Sequence, residues 1–238
     1  NLSLPLFFAQ PATTADLTQI YAIIPFLNVL FTYGLETAYF RFSKEEDPHK
    51  LYSTLSIALL GSTFLFTGIL WFFSQSILHF ANLEAHPEFI NWMIGILFFD
   101  TLSTLAFAKL RQENRPKKYA AVRLSSVMVN LITVLLFIGW IPYKVQQDPN
   151  TWLTVFTNNN IGIGYYLIGN LAGSILTFLL LFNEFRKISM QFSIPLFKKV
   201  MEYSYPLIIV GMGGMVNDML SRLIYQHVVQ LPVDEAKH

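Results

Sequence analysis

The sequence contains no cysteine, which excludes disulfide bonds and thiolate metal sites. Charge is also scarce: 13% of the residues are Asp, Glu, Lys or Arg, about half the share of a typical soluble domain. Three long segments, 51–83, 124–143 and 149–183, have none of these four residue types. Each is long enough to cross a bilayer, which takes about 20 mostly apolar residues. The sequence therefore predicts an all-α, polytopic membrane protein, a helix bundle with about six transmembrane helices.

Catalytic signatures are absent as well. The chain has no HExxH, GxSxG or Walker sequence and no Asp-rich cluster, and its five histidines lie at helix ends or in loops of the predicted layout. A formal net charge of +1 gives no global field for nucleic acid. We expect no enzyme activity, no cofactor, no metal ligands and no nucleic-acid partner. A membrane acyl- or glycosyltransferase is the least favoured alternative.

Apolar segments and basic loops together predict the topology. Thirteen of the sixteen Lys and Arg residues fall in the alternate loops 41–50, 109–123 and 186–199. Basic loops mark the cytoplasmic side, so both ends of the chain are expected outside the cytoplasm. The predicted spans are 17–42, 51–80, 89–110, 120–141, 161–185 and 203–225. The segment 186–202 is predicted to be a cytoplasmic amphipathic linker between the fifth and sixth spans.

Polar residues recur at helical spacing inside these apolar spans. Asn28, Thr32 and Glu36 are four apart and share one face, which lipid cannot satisfy. Four other helices carry similar faces, which include Asp100, Ser103 and Thr104; Arg123, Ser126, Asn130 and Thr133; Tyr166, Asn170, Ser174 and Thr177; and Asn217, Asp218 and Arg222. A charge at the bilayer centre costs about 2.5–3.5 kcal/mol on insertion scales. The faces therefore predict a polar cavity between helices.

Asp100 lies near the middle of its span and is expected to face that cavity. The alternative is a buried, protonated carboxyl group that hydrogen-bonds to a neighbouring helix. For Glu36 the alternative is an interfacial ion pair with Arg41. Asp218 and Arg222 are four apart and can pair with each other. The second span, 51–80, is nearly all apolar and is expected to face lipid.

Three stretches resemble one family. YAIIPFLNVLFTYGLETAYFRFS at 21–43 resembles the second helix of bacterial polysaccharide-biosynthesis membrane proteins, and YGLETAYFRF is its most specific part. KLRQENRPKKYAAVRLSSVMVNL at 109–131 resembles the basic loop between their fourth and fifth helices. YSYPLIIVGMGGMVNDMLSRLIYQHVV at 203–229 resembles their seventh helix. These proteins are the oligosaccharide flippases, O-antigen flippases among them, of the multidrug/oligosaccharidyl-lipid/polysaccharide exporter superfamily.

The resemblance implies a function. Such flippases have twelve to fourteen helices in two bundles and move a lipid-linked sugar from the cytoplasmic to the outer leaflet by alternating access. It implies a multi-pass protein of the bacterial inner membrane, with both ends of this chain on the periplasmic side. On this likeness the chain is one half of a larger two-bundle transporter and lacks most of the first helix and everything after the seventh. The resemblance divides it into a partial N-terminal transmembrane bundle (1–185), the cytoplasmic linker (186–202), and the first helix of the second bundle with an outer loop (203–238). The superfamily also holds cation-coupled multidrug exporters, which are the second expectation.

A polyprenyl-diphosphate-linked oligosaccharide needs cations for its phosphates and polar groups for its sugars. Arg41, Arg123 and Arg222 are candidates for the diphosphate, and Asp100 or Glu36 for a coupling ion, either a proton or sodium. The candidates for the sugar hydroxyls are Asn28, Asn130, Asn170 and Asn217. Asp218 completes the candidate site as the partner of Arg222.

Overall fold

The structure, a computed structural model, describes residues 11–80, 86–148, 152, 154 and 164–230, without the side chains of 11–19, 22, 80 and 216–230. The described residues contain helices and turns and no strand. The helices are α1 (Pro11–Thr32), α2 (Leu35–Phe42), α3 (Pro48–Phe72), α4 (Ser74–Phe80), α5 (Glu88–Gln112), α6 (Pro116–Val134), α7 (Ile141–Gln147), α8 (Tyr165–Leu180), α9 (Phe182–Phe185) and α10 (Ile194–Gln230). A π-helical segment, Leu135–Trp140, joins α6 to α7. The all-α prediction is confirmed.

The helix at the centre of the bundle is α5. It packs against α1, α2, α3, α6 and α8. In its most apolar stretch of 18 residues, 72% is buried inside the protein. The corresponding share for Pro116–Gln147 is 6%, so this segment lies at the periphery. Helices α6 and α8 lie especially close, because α8 presents Gly169 and Gly173 to α6. A Cβ on Gly173 would lie 2.9 Å from Ser126 Oγ and 3.0 Å from the Ser126 carbonyl oxygen. The absence of a side chain at these two glycines therefore allows the close packing of α8 against α6.

The first predicted span, 17–42, is divided. The helix continues through Pro25, and the interruption falls at Tyr33 and Gly34, whose φ angles are 34° and 72°. Glycine adopts positive φ without steric cost, so Gly34 is the residue at which the chain can end α1 and begin α2. A Cβ there would lie 3.1 Å from Leu207 Cβ, which shows how closely α10 approaches this turn.

Other predicted boundaries shift too. The span predicted at 51–80 is divided at Phe73 into α3 and α4, and α8 ends at Leu180 before the short α9. Helix α10 runs for 37 residues from Ile194, with Pro206 inside it. Part of the segment predicted as a linker is therefore continuous with the last helix. The start of the predicted span 161–185 lies outside the described residues.

Among the described residues, four helical segments are long and apolar enough to cross a membrane: Ile23–Phe42, Pro48–Phe72, Glu88–Gln112 and Pro116–Gln147. They match the first four predicted spans, and α8 is a shorter apolar helix. Large apolar side chains are exposed on α3 and α6, including Phe64, Trp71, Phe72, Leu124 and Leu135. Such contiguous apolar surface is rare on soluble monomers and suits lipid. The lipid-facing prediction for 51–80 fits its later part only, because residues 51–56 are buried.

Candidate functional site: a polar cavity between apolar helices

A cavity of about 260 Å³ lies between α1, α2, α5, α6 and α8. Its wall brings together the polar faces of all five helices. The lining residues are Asn28, Glu36, Asp100, Ser103, Thr104, Phe107, Arg111, Arg123, Ser126, Val127, Asn130, Asn170, Ser174 and Thr177. Six of the ten predicted site residues are among them: Asn28, Glu36, Asp100, Arg123, Asn130 and Asn170. The other four are Arg41, Asn217, Asp218 and Arg222.

Asp100 stands on the central helix and faces this cavity, as its position in the sequence predicts. The buried Ser174 hydroxyl of α8 hydrogen-bonds toward its carboxylate, and Arg123 of α6 supplies the nearby positive charge. The next two hydroxyl groups on this face of α5 donate hydrogen bonds to backbone carbonyl oxygens of α5 itself. Ser103 Oγ donates to the Phe99 carbonyl oxygen at 2.8 Å and Thr104 Oγ1 to that of Asp100 at 3.1 Å. The side chain of Asp100 is therefore the ionisable group of the cavity's inner part.

Three amides line the same cavity. Among the described residues, the buried Oδ1 of Asn28 has no hydrogen-bond partner. Asn170 Nδ2 donates to the Tyr21 hydroxyl at 3.3 Å. Asn130 lies where α6 meets Gly169 of α8, since a Cβ on that glycine would be 3.1 Å from Asn130 Oδ1. A buried amide oxygen without a partner costs free energy, so the cavity offers Asn28 Oδ1 as an acceptor for a ligand or for water.

Two arginines mark the basic end of the cavity, where the side chains become exposed. Arg111 forms an ion pair with Glu36, and its guanidinium carbon is 5.3 Å from the ring centroid of Tyr119. Arg123 stacks on Phe107 at 4.2 Å and lies 6.0 Å from the same Tyr119 ring. Tyr119 therefore lies within reach of both guanidinium groups. Stacking on ring faces leaves the N–H edges of a guanidinium available to a ligand.

The structure changes the account of Arg41. This side chain pairs with Glu45 at 3.2 Å, is 59% exposed, and does not line the cavity. The alternative for Glu36, an ion pair with Arg41, is wrong, because Glu36 pairs with Arg111. Arg111 was missed as a site residue. Its signal was present, since Asp100, Phe107 and Arg111 follow one face of α5 at spacings of seven and four.

The remaining predicted site residues belong to α10. Asn217, Asp218 and Arg222 lie on the backbone of that helix, but their side chains are outside the described part of the chain. The predicted pair between Asp218 and Arg222 stays a prediction, as does any contact of these three residues with a ligand.

A buried ion cluster near the basic loops was not predicted. Glu184 of α9 is 1% exposed and accepts from Arg115, Lys118 and Lys187 at 3.0, 2.8 and 2.9 Å. Burial alone would raise the pKa of its carboxyl group. The hydrogen bonds and charges of Lys118 and Lys187 outweigh burial and hold the pKa at about 2. The feature of the sequence that could have pointed to this cluster is the position of Glu184, which directly follows the charge-free segment 149–183.

Comparison with known proteins identified no relative of this chain. Neither the protein-family models nor the curated proteins nor the solved structures include a match to this chain. The described residues contain no group of three or more His, Cys, Asp or Glu that could hold a metal ion. The charges and hydrogen-bonding groups that line the cavity determine what it can bind.

Proposed function

We propose that this protein is a membrane transporter of the flippase kind, without enzyme activity. Its substrate is a polyprenyl-diphosphate-linked oligosaccharide or polysaccharide precursor, which it moves from the cytoplasmic to the outer leaflet by alternating access. The observation that carries the proposal is the composition of the cavity. Two arginines, two carboxylates, three amides and several hydroxyls line one space between helices that are otherwise apolar.

The arginines suit a diphosphate. Arg111 and Arg123 lie at the same end of the cavity and share an aromatic neighbour, Tyr119. A guanidinium stays charged and can hold phosphate oxygens through two parallel hydrogen bonds. Within the described part of the chain, Arg123 forms no direct ion pair, so its donors are free to meet an anion. In this assignment Arg111 takes the place that the sequence suggested for Arg41.

The amides suit a sugar. Asn28, Asn130 and Asn170 supply acceptors and donors that a ring hydroxyl can use in pairs. A volume of about 260 Å³ equals that of roughly nine water molecules at about 30 Å³ each. The space is therefore enough for a small head group but not for a long oligosaccharide. A larger head group requires a wider conformation, which alternating access supplies.

The basic loops give the orientation within this proposal. Arg111 and Arg123 lie in the most basic of them, 109–123, so the exposed end of the cavity faces the cytoplasm. Substrate then enters from the leaflet in which lipid-linked sugars are assembled. Asp100 lies deeper and is the site for a coupling proton or sodium ion. Both ends of the chain lie on the periplasmic side of a bacterial inner membrane.

A cation-coupled exporter of amphipathic drugs is the second candidate. One observation favours it: an apolar groove of about 430 Å³ lies between α1, α3 and α10, with Tyr33, Phe66, Phe192 and Phe197 in its wall. Aromatic walls bind drug-like cations. The groove has no ionisable group other than Tyr33, however, and the carboxylates lie in the other cavity.

Deleting the gene in its native bacterium tests the proposal. We expect lipid-linked sugar to accumulate in the inner leaflet and the wild-type gene to reverse this. The Asp100→Asn variant should insert at normal abundance yet fail to restore transfer. Normal transfer by Asp100→Leu would show that Asp100 has no role, and drug sensitivity without sugar accumulation would favour the exporter.

A further inference from the structure

The cluster around Glu184 holds more positive than negative charge. Two carboxylates, Glu184 and Glu113, face four basic side chains, Lys109, Arg115, Lys118 and Lys187, which leaves an excess of two positive charges. The cluster joins α5, α6 and α9, and it is separate from the cavity, whose lining includes none of these residues. A cluster that served only to hold these helices together would need only enough cations to neutralise its carboxylates.

Lys109 is the most unusual member. Its side chain is 5% exposed, and its Nζ has no hydrogen-bond partner among the described residues. The nearest carboxylate oxygens, from Glu184 and Glu113, are 3.8 and 4.0 Å away, and the Tyr52 ring centroid is 4.1 Å away. A buried ammonium without a hydrogen bond is costly. Its positive charge adds to the field at the cluster's outer rim.

The outer rim is accessible and has unused donors. Arg115, Lys118 and Lys187 are 40%, 27% and 47% exposed. Both hydrogen bonds that the described contacts give to Arg115 come from Nη1, which leaves Nη2 and Nε. Each lysine ammonium has three N–H groups and donates one to Glu184. The rim can therefore bind an anion without giving up its bonds to Glu184.

Apolar surface adjoins this rim. Leu179 and Leu180 at the end of α8 are 59% and 40% exposed, and Phe182 of α9 is 50% exposed. The site thus places cationic donors beside the apolar ends of two helices, the arrangement that a phosphate head group with attached acyl chains requires.

We infer that the rim formed by Arg115, Lys118 and Lys187 binds the phosphate head group of an anionic phospholipid from the surrounding bilayer. The head group accepts hydrogen bonds from the unused donors, and the acyl chains pack on Leu179 and Phe182. The bound lipid offsets the excess charge of the cluster. Because α5, α6 and α9 meet there, an occupied site stabilises the basic end of the bundle.

Lipid titration of the purified chain in phosphatidylcholine nanodiscs tests this inference. The ligands are short-chain phosphatidylglycerol, short-chain phosphatidylcholine and inorganic phosphate. The Arg115→Gln/Lys187→Gln variant removes two rim charges from exposed positions. The Lys198→Gln/Lys199→Gln variant is matched to it, because it removes two basic charges from another predicted cytoplasmic surface. Arg123→Gln reports on the cavity.

We expect phosphatidylglycerol to bind the wild type and phosphatidylcholine not to compete. Each charge near the membrane surface corresponds to about a fivefold change in affinity, so the rim variant should lose about 10- to 30-fold. The other two variants should lose less than about threefold. Equal losses in both double variants would indicate diffuse attraction and overturn the inference. So would an equal loss in Arg123→Gln, or binding of inorganic phosphate as tight as that of the lipid. If the double variant is less stable than the wild type, Lys187→Gln alone should still lose about fivefold, and no loss would count against the site.

Discussion

Glu36 on α2 forms an ion pair with Arg111 near the end of α5, although 75 positions separate them in the chain. Arg41 lies five residues from Glu36 on the same short helix, which places the two side chains about 140° apart around its axis. Arg41 instead pairs with Glu45, four residues on. The pair between Glu36 and Arg111 closes part of the cavity's basic end and fixes α2 against the central helix.

Replacing Arg111 should therefore affect transport more than stability. Both ion pairs are partly exposed, so Arg111→Gln and the matched Arg41→Gln should each change the free energy of unfolding by less than about 1 kcal/mol. Arg111→Gln leaves Glu36 unpaired at the entrance, where its charge repels an anionic head group. We expect transfer of lipid-linked sugar to fall at least about tenfold for Arg111→Gln and to stay near wild type for Arg41→Gln. Equal transfer by the two variants would remove Arg111 from the site.

Gly173 tests the close packing of α6 and α8. A Cβ there would lie within 3.0 Å of Ser126, including its backbone oxygen, so Gly173→Ala should push the helices apart. We expect a loss of about 1–3 kcal/mol in the free energy of unfolding, the usual range for overpacking. Gly61→Ala on α3 is the matched control, because its Cβ would meet nothing within 4 Å. It should be neutral or stabilise by up to about 1 kcal/mol. Denaturation in detergent measures both, and equal effects would contradict the packing account.

Glu184 predicts a pH dependence of stability. A carboxyl group whose pKa is lower in the folded than in the unfolded chain stabilises the fold above its unfolded pKa, and this contribution is lost as the pH falls toward the folded pKa. With a folded pKa of about 2 and an unfolded one of about 4.3, the loss should fall between roughly pH 5 and pH 2. The difference in stability between the wild type and Glu184→Gln should shrink over that window.

At pH 7 Glu184→Gln should destabilise the fold by about 2–3 kcal/mol. This is below the usual cost of breaking a fully buried pair, because its partners are partly exposed. Glu45→Gln, which removes an exposed partner of Arg41, should keep the wild-type stability and pH profile. A Glu184→Gln variant as stable as the wild type at pH 7 would contradict the role of the cluster.

The orientation can be tested by labelling. Thirteen of sixteen basic residues lie in loops of one side, which predicts that this side is cytoplasmic. The chain has no cysteine, so single cysteines can be introduced without a background. An impermeant thiol reagent added to intact cells should label Gln75→Cys and Gln147→Cys. It should not label Gln112→Cys and Ser189→Cys until the membrane is opened. The reverse pattern would invert the orientation and the proposed direction of substrate entry.

The polar faces were predictable from sequence because lipid leaves little choice. Asn28, Asp100 and Asn170 stand in apolar helices, and a polar side chain there has to face protein or water. Helical spacing then gives the face on which each one lies. The structure accordingly brings these faces together around one cavity.

The partners of the charged groups were not predictable in the same way. Spacing along one helix identifies neighbours three or four residues apart. It cannot identify Arg111 as the partner of Glu36, or Lys118 as a partner of Glu184, because these lie on other helices up to 75 positions away. Which helices meet depends on packing details such as the close approach at Gly173. The break at Gly34 was missed because a single glycine in an apolar run is also compatible with an uninterrupted helix.

Binding of a short-chain prenyl-diphosphate-linked sugar to the purified protein in nanodiscs tests the central claim most directly. We expect saturable binding to the wild type. The affinity should be about 10- to 100-fold weaker for Arg123→Gln, because a hydrogen bond to a charged group contributes about 1.5–3 kcal/mol. Arg41→Gln should stay within about twofold of the wild type. Equal affinity of the wild type and Arg123→Gln, or equally tight binding of the prenyl alcohol that lacks the diphosphate, would contradict a cavity built for an anionic, lipid-linked sugar.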